Sequence, residues 1–293
     1  MTQQEIGERL GLAQSLIHYW LKGNNVDKNT FIIDKTGAII HNSGLIIKNF
    51  NDGLPSNPKP QFFVGKAEDL SFLRDGTVDI IITSPPYNLG REKWPMGGNG
   101  RTPREAGIGY SEHKDNMPED EYEEWQIKCL KECYRVAKLG ASMFYNHKVR
   151  QKLGGIIHPI SWLQHTTPWD LRQEIIWDRL STHNHTATLF WPQDERIYWL
   201  TKGNPNLLNK SINLPSVWRE FGPIPKNGGH PAPFTPALPK MILKAVGKPG
   251  DTILDPFGGS MTTCLVASTL GYKSIGVDIA ADYVEQARAL FQA

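Results

Sequence analysis

Short apolar runs closed by glycine or proline alternate along this chain with stretches whose apolar residues recur every three or four positions. The clearest run is Val78-Asp79-Ile80-Ile81-Ile82, β-branched and nearly free of polar residues. It predicts a central strand of a parallel sheet, buried on both faces. Pro85 and Pro86 follow and cannot continue a central strand, so the chain leaves the sheet just after Ser84. Upstream, Gln61–Gly65 reads as a strand, followed by a helix around Glu68–Leu73. Pro118 opens an amphipathic helix through Tyr122, Trp125, Cys129, Cys133 and Val136, which Leu139-Gly140 is expected to end. Ala141–Tyr145 is the next strand. Glu174–Trp177 and Arg196–Leu200 read as an antiparallel pair at one sheet edge, and Phe234–Ala245 as a helix. The last unit is a strand (Thr252–Leu254), a tight turn (Asp255–Ser260), a helix (Thr262–Leu270), a strand (Lys273–Val277) reaching Asp278, and a helix from Asp282. Strands alternating with helices predict an α/β fold.

Residues 1–25 carry a different pattern. Two short helices, Gln3–Leu10 and Ala13–Leu21, join at Gly11-Leu12 and resemble a helix-turn-helix, with Gln14, Ser15 and His18 as candidates to face a DNA groove. The alternative is a helical hairpin that only packs on the main domain, because acids match bases one for one around it. Residues 26–60 hold a β-hairpin with Gly37 at its turn, then an Asn/Pro/Gly-rich linker that marks a domain boundary. The main domain is expected to span 61–293. Within it, residues 89–118 lack period and interleave Arg91, Lys93, Arg101 and Arg104 with aromatics, which suggests a flap over nucleic acid; a plain solvated loop is the alternative. Residues 201–229 are irregular and are the candidate target-recognition region.

With 293 residues and a formal net charge of +2, the chain can bury a full core and carries no global basic signal, so any nucleic-acid contact rests on local patches. No run of about 18 apolar residues is present, which predicts no membrane span and a soluble, intracellular protein. The three cysteines are too few for a disulfide framework or a zinc site and are expected to be reduced; no metal is implied.

Two stretches carry chemistry. In Thr83-Ser84-Pro85-Pro86-Tyr87-Asn88, the Ser84 side chain and the Pro85 carbonyl can accept hydrogen bonds from an exocyclic amino group, and Tyr87 offers a face on which a base can stack. The alternative is a proline turn with a core aromatic. In Asp255-Pro256-Phe257-Gly258-Gly259-Ser260, glycines at a helix N-terminus let backbone approach a ligand, and Asp278 at the end of the following strand suits ribose hydroxyls. That context points to a nucleoside cofactor. No phosphate-cradling Gly-x-x-x-x-Gly-Lys-Ser/Thr loop occurs.

Together these stretches resemble the β-group of amino-methylating DNA methyltransferases. The resemblance rests on Ser84-Pro85-Pro86-Tyr87, on the late turn Asp255–Thr263, on His230-Pro231-Ala232-Pro233-Phe234, and on Ile275–Asp278 with Tyr283 and Ala287; it covers about residues 61–293. It implies a Rossmann-like, seven-stranded methyltransferase sheet with circularly permuted motif order and S-adenosylmethionine as cofactor. His230, Phe234, Asp255, Phe257, Gly258, Gly259, Ser260, Thr262 and Asp278 would contact that cofactor. Ser84, Pro85, Pro86 and Tyr87 would act on a base flipped from double-stranded DNA. Restriction–modification and a homodimer are further implications. Serine at the first motif position resembles cytosine-N4 enzymes and favours that base over adenine-N6. A DNA-binding regulator with a vestigial fold, and methylation of RNA or a protein amide, are the readings from other classes. Two departures stand out: Met261 replaces the family's usual third glycine, so a less tight turn is expected, and Lys66 stands where an acid often follows Gly65, which puts the adenine contact in doubt.

Overall fold

The computed structural model describes residues 31–33, 39–41, 58–89, 112–113, 115–152, 155–180, 189–205, 208–209, 212, 214–219 and 235–292. Gln14, Ser15 and His18 of the N-terminal segment, Arg91, Lys93, Arg101 and Arg104 of the flap, and His230 and Phe234 lie outside the described residues. Near the N-terminus, β1 (Phe31–Ile33) pairs antiparallel with β2 (Ile39–His41), with Phe31 opposite His41.

The main sheet is built from β3 (Gln61–Val64), β4 (Val78–Thr83), β5 (Ala137–His147), β8 (Asp170–Asp178), β9 (Asp194–Thr201), β10 (Val217–Arg219), β11 (Thr252–Asp255) and β12 (Lys273–Asp278). Two short strands, β6 (Arg150–Lys152) and β7 (Gly155–Ile157), form a separate antiparallel ribbon. The main sheet runs β10-β8-β9-β5-β4-β11-β12-β3. Only β9, among these described strands, runs against the others. Among the described residues the main sheet thus has eight strands against the expected seven. The added strand, β10, arises in a Pro/Asn-rich segment without alternation, where pairing of its backbone with Ile176–Asp178 supplies the order that side-chain pattern does not. It also covers β8, so the β8–β9 pair lies one strand in from the edge.

Five helices flank the sheet among the described residues: α1 (Glu119–Val136), α2 (Ile160–Thr166), α3 (Ala237–Val246), α4 (Thr262–Thr269) and α5 (Ala281–Gln292). One core cluster joins Val78, Ile81, Met143, Tyr145 and Leu254 to Tyr122, Leu130 and Cys133 of α1 and Trp162 of α2. The opposite cluster joins Ile80, Ile82, Phe144, Trp199 and Ile253 to Leu238 and Ile242 of α3 and Val266 of α4. Alternation along β4 thus feeds both layers, and a register shift between Val78 and Ile80 turns Val78 to the side of Ile81. No helix among the described residues is long and apolar enough to cross a membrane.

Two local expectations are corrected. Glu68–Leu73 forms turns in place of a helix. Asp69 Oδ1 accepts from the Ser71 amide, the Leu70 amide donates to Glu132, and Arg135 takes the Leu70 carbonyl, so side chains satisfy the backbone groups a helix would have used. The long helix ends at Val136, before the Leu139-Gly140 signal, because Ala137 already pairs with Val78 and has extended backbone. Gly140, at φ 86°, sits within β5 and absorbs the irregularity. At the other end, Pro118 stands at the N-cap, and Glu119, Asp120 and Glu121 complement the helix dipole.

Ile81 is fully buried in the central strand. Ile81→Ala should cost about 2–5 kcal/mol, measured as a lower urea midpoint with an unchanged denaturant slope.

Candidate active site

Both motifs leave the sheet at its carboxyl edge from neighbouring strands. β4 and β11 pair in parallel, with Ile80 opposite Ile253 and Ile81 opposite Leu254. Thr83 Oγ1 donates to Asp255 Oδ1 across this junction at 2.8 Å. The chain runs from β4 to β5 on one side and from β11 to β12 on the other. The crevice between them is therefore a topological switch point, where open α/β sheets take ligands.

Beyond Thr83 the chain turns through half-buried Ser84, buried Pro85 and Pro86, and half-buried Tyr87. Asn88, at φ 56°, ends the turn, and its amide side chain brackets Met117, donating to the carbonyl at 2.9 Å and accepting from the amide at 2.7 Å. The Tyr122 hydroxyl of α1 lies 2.7 Å from the Pro86 carbonyl and 2.7 Å from His147 Nε2. Burial pushes the His147 imidazole down to about 3, so the ring is neutral, and Nδ1 lies 2.8 Å from the Lys148 carbonyl. The Tyr87 ring rests against that imidazole, with centroids 4.8 Å apart.

A polar cluster closes the back of the turn. Ser84 Oγ and the Tyr87 hydroxyl are 2.7 Å apart. Tyr87 donates to Glu195 Oε2 at 3.1 Å, and Asn146 Nδ2 lies 2.7 Å from the Tyr87 oxygen and 2.9 Å from Glu195 Oε2. Arg179 pairs with Glu195 Oε1 at 2.8 Å, and Lys148 Nζ stands 3.9 Å from the same oxygen. Burial pushes the Glu195 carboxyl up, but Arg179, Lys148 and the hydrogen bonds from Asn146 and Tyr87 outweigh it and hold it below its ordinary value. Strand register explains the convergence: Thr83 pairs with Tyr145, Asn146 with Ile197, and Trp177 with Glu195.

On the β11 side the glycine turn is tight. The Gly258 amide reaches the Val277 carbonyl at 2.8 Å, and the Gly259 amide donates to Asp278 Oδ2 at 2.7 Å. Asp278 Oδ1 accepts from the Ala280 amide at 2.9 Å. Met261 itself adopts the left-handed conformation, φ 56°, so the turn keeps the geometry a glycine would give and the expected loosening does not occur. Its fully buried side chain packs with Phe62, Cys264 and Val284 and fills the space beside Gly258 and Gly276, where a Cβ would overlap its sulfur. Phe257 meets the edge of Trp125 at 5.6 Å, and Trp125 Nε1 donates to Glu68 at 3.1 Å. Glu68 thus brings a carboxylate near the turn two residues after Lys66. A strand-end carboxylate with lone pairs to spare, close backbone and aromatic edges fit a nucleoside group: hydroxyls for Asp278, a flat base for the rings.

The expected residues therefore divide. Ser84, Pro85, Pro86 and Tyr87 sit at the end of β4; Phe257, Gly258, Gly259, Ser260 and Asp278 line the neighbouring turn, with Ser260 Oγ 3.1 Å from Thr262 Oγ1. Asp255 and Thr262 are buried beneath it. Asp255 spends its carboxylate on Thr83 and on the Phe257 amide, and so shapes the turn from below. Sequence reasoning missed Asn146, Glu195, Arg179 and Tyr122. For the first two the sequence shows only a polar residue next to the end of a strand, which does not by itself mark a site.

Burial raises the Asp255 carboxyl from the ordinary 3.8 to about 6, against the hydrogen bonds that lower it. The folded state thus holds this proton more tightly than the unfolded chain, and stability is lost as pH rises from about 4 to about 6. Asp255→Asn should remove that slope. Urea titrations across this range should show wild type losing on the order of 2–3 kcal/mol relative to the variant.

A sequence profile described as DNA methylase matches residues 78–289. The chain is 28% identical over 242 residues to the Type II methyltransferase M.HpaI of Haemophilus parainfluenzae, covering 75% of this chain and 69% of that protein. It is 25% identical over 241 residues to the DNA adenine methyltransferase YhdJ of Escherichia coli, covering 71% of this chain and 74% of that protein. Its fold superposes on the cytosine-N4-specific PvuII DNA methyltransferase with a TM-score of 0.61 at 17% identity, covering 82% of this chain and 90% of the other. The profile spans β4, the proline turn, the glycine turn and Asp278 in one continuous match, and this chain belongs to that DNA methylase family.

Proposed function

We propose that this protein transfers a methyl group from S-adenosylmethionine to the exocyclic N4 of a cytosine flipped out of duplex DNA. The observation that carries the reading is the Ser84 hydroxyl at the end of β4, fixed 2.7 Å from the Tyr87 hydroxyl and one strand away from the glycine turn. The Gly258-Gly259 turn and Asp278 would hold the cofactor, which supplies an electrophilic sulfonium methyl group when bound.

The chain's own residues position and polarise. Ser84 Oγ and the Pro85 carbonyl accept the two amine hydrogens and draw them out of the base plane, which frees the nitrogen lone pair. The nitrogen would gain the methyl group as the methyl–sulfur bond breaks and the neutral thioether product leaves, and one amine proton would then pass to solvent. Tyr87 offers the ring face away from His147 to the base. Holding both reactants in line and stabilising charge as it develops on nitrogen are the main contributions. A thiolate route is disfavoured, because Cys129, Cys133 and Cys264 are buried and free and burial pushes their thiols up.

Serine in the first motif position and the cytosine specificity of the PvuII enzyme support cytosine; the adenine specificity of YhdJ supports the N6 reading. Arg91, Lys93, Arg101 and Arg104 are proposed to contact DNA phosphates, and Gln14, Ser15 and His18 a groove.

Incubation with varied duplex DNAs and deuterated methyl donor, followed by digestion to nucleosides and mass spectrometry, should yield labelled N4-methylcytosine. Labelled N6-methyladenine would keep the mechanism and change the base. Ser84→Ala and Tyr87→Ala should each lower turnover by about 10²-fold or more while cofactor binding by calorimetry stays near wild type. Undiminished turnover in both variants rules out the assignment.

A further inference from the structure

Glu195 lies behind the proline turn, 5% exposed, and the methyl-transfer scheme leaves it without a role. Its surroundings favour one direction for the hydrogen bonds between it and Ser84. An ionised carboxylate only accepts. The phenolic proton of Tyr87 therefore points at Glu195 Oε2, 3.1 Å away. The Tyr87 oxygen then serves as acceptor, taking Asn146 Nδ2 at 2.7 Å and the Ser84 hydroxyl at 2.7 Å. Ser84 has one proton, and this bond uses it. What Ser84 can still offer is lone-pair density, with Asn146 Nδ2 only at the 3.5 Å limit.

We propose that Glu195 is a positioning residue that sets the direction of the Ser84–Tyr87 hydrogen bond and so makes Ser84 an acceptor for an amino group. This rests on the amino-methylation reading given above. The device selects a base by its chemistry. An amine, as on cytosine or adenine, brings hydrogens that Ser84 can accept; a keto oxygen brings lone pairs that meet lone pairs. Without the carboxylate, Tyr87 could turn its proton to Ser84, and Ser84 its own proton outward. The site would then present a donor and suit a keto base.

Arg179 explains why glutamine is an informative replacement. It holds Oε1 at 2.8 Å, so in Glu195→Gln the amide oxygen faces the guanidinium and the NH₂ faces Tyr87. The relay then reverses at nearly constant shape. Asn146 bears the same constraint: its Nδ2 faces the carboxylate, and its Oδ1 is buried without a hydrogen-bond partner among the described residues.

The test uses the full chain and single-turnover transfer of labelled methyl from S-adenosylmethionine to duplex DNA. Glu195→Gln should slow the transfer step on the order of 10²-fold with KM for donor and DNA unchanged, and Glu195→Asp should recover part of the rate. In the Tyr87→Phe background, Glu195→Gln should cause no further loss, because Glu195 acts through the Tyr87 hydroxyl. Additive losses, a change confined to KM, or a fully active Glu195→Gln overturn the role. Should Glu195→Gln fail to fold, Tyr87→Phe with and without Ser84→Ala decides: the phenylalanine costs rate only while Ser84 is present, and additive losses overturn the relay. Wild-type protein that labels no DNA overturns the amino-methylation reading itself; wild-type labelling beside an unaffected Glu195→Gln overturns the positioning role alone.

Discussion

A buried hydrogen bond joins the two halves of the site: Thr83, the last residue of β4, donates to Asp255, the last residue of β11. These residues lie 172 positions apart in sequence, yet the parallel pairing of their strands brings both exits to one crevice. Each strand is apolar and buried, so neither can slide without moving Ile80, Ile81, Ile253 and Leu254 out of their layers. The packing of an unremarkable core thereby sets the distance between the proline turn and the glycine turn. Asp255 carries a cost for this, since its carboxylate is buried beside the junction and held neutral to higher pH than an exposed acid. Such a cost is common where a polar group is placed for geometry instead of stability.

Around that junction, two side chains substitute for glycine and for solvent. Met261 takes a left-handed backbone that glycine adopts freely, and its buried side chain offsets the strain of about 1 kcal/mol by filling the space that Gly258 and Gly276 leave open. Tyr122 reaches from α1 to the Pro86 carbonyl, so a backbone acceptor that would otherwise face a closed turn is bonded within the protein. Both contacts hold the turns from below.

Much of this was legible in the sequence, and the gaps have physical causes. The strands β4, β11 and β12 and the helices α1, α4 and α5 were readable because apolar runs and helical spacing are local. The turns bearing Ser84 and Gly259 were readable because proline and glycine restrict or free the backbone wherever they stand. The helix expected at Glu68–Leu73 failed because tertiary partners, Glu132 and Arg135, captured its backbone groups. The eighth strand escaped because three residues, of which only Trp218 is buried, leave almost no pattern. Glu195 and Asn146 escaped for a related reason: their significance depends on strand register, which no single-strand pattern encodes.

That last point bears on how the site is built. Ser84, Asn146, Arg179 and Glu195 come from four separate segments, and each taken alone is an ordinary polar residue near a strand end. Only the antiparallel insertion of β9 between β5 and β8 turns the start of one strand toward the ends of the others. An all-parallel sheet would carry Glu195 to the opposite edge, far from Tyr87. The reversal of β9 is therefore what brings an ionised carboxylate behind the proline turn. It places a negative charge against the Tyr87 hydroxyl and the Asn146 amide, one hydrogen bond away from Ser84. Low local dielectric strengthens such hydrogen bonds, and the paired Arg179 keeps the charge in place.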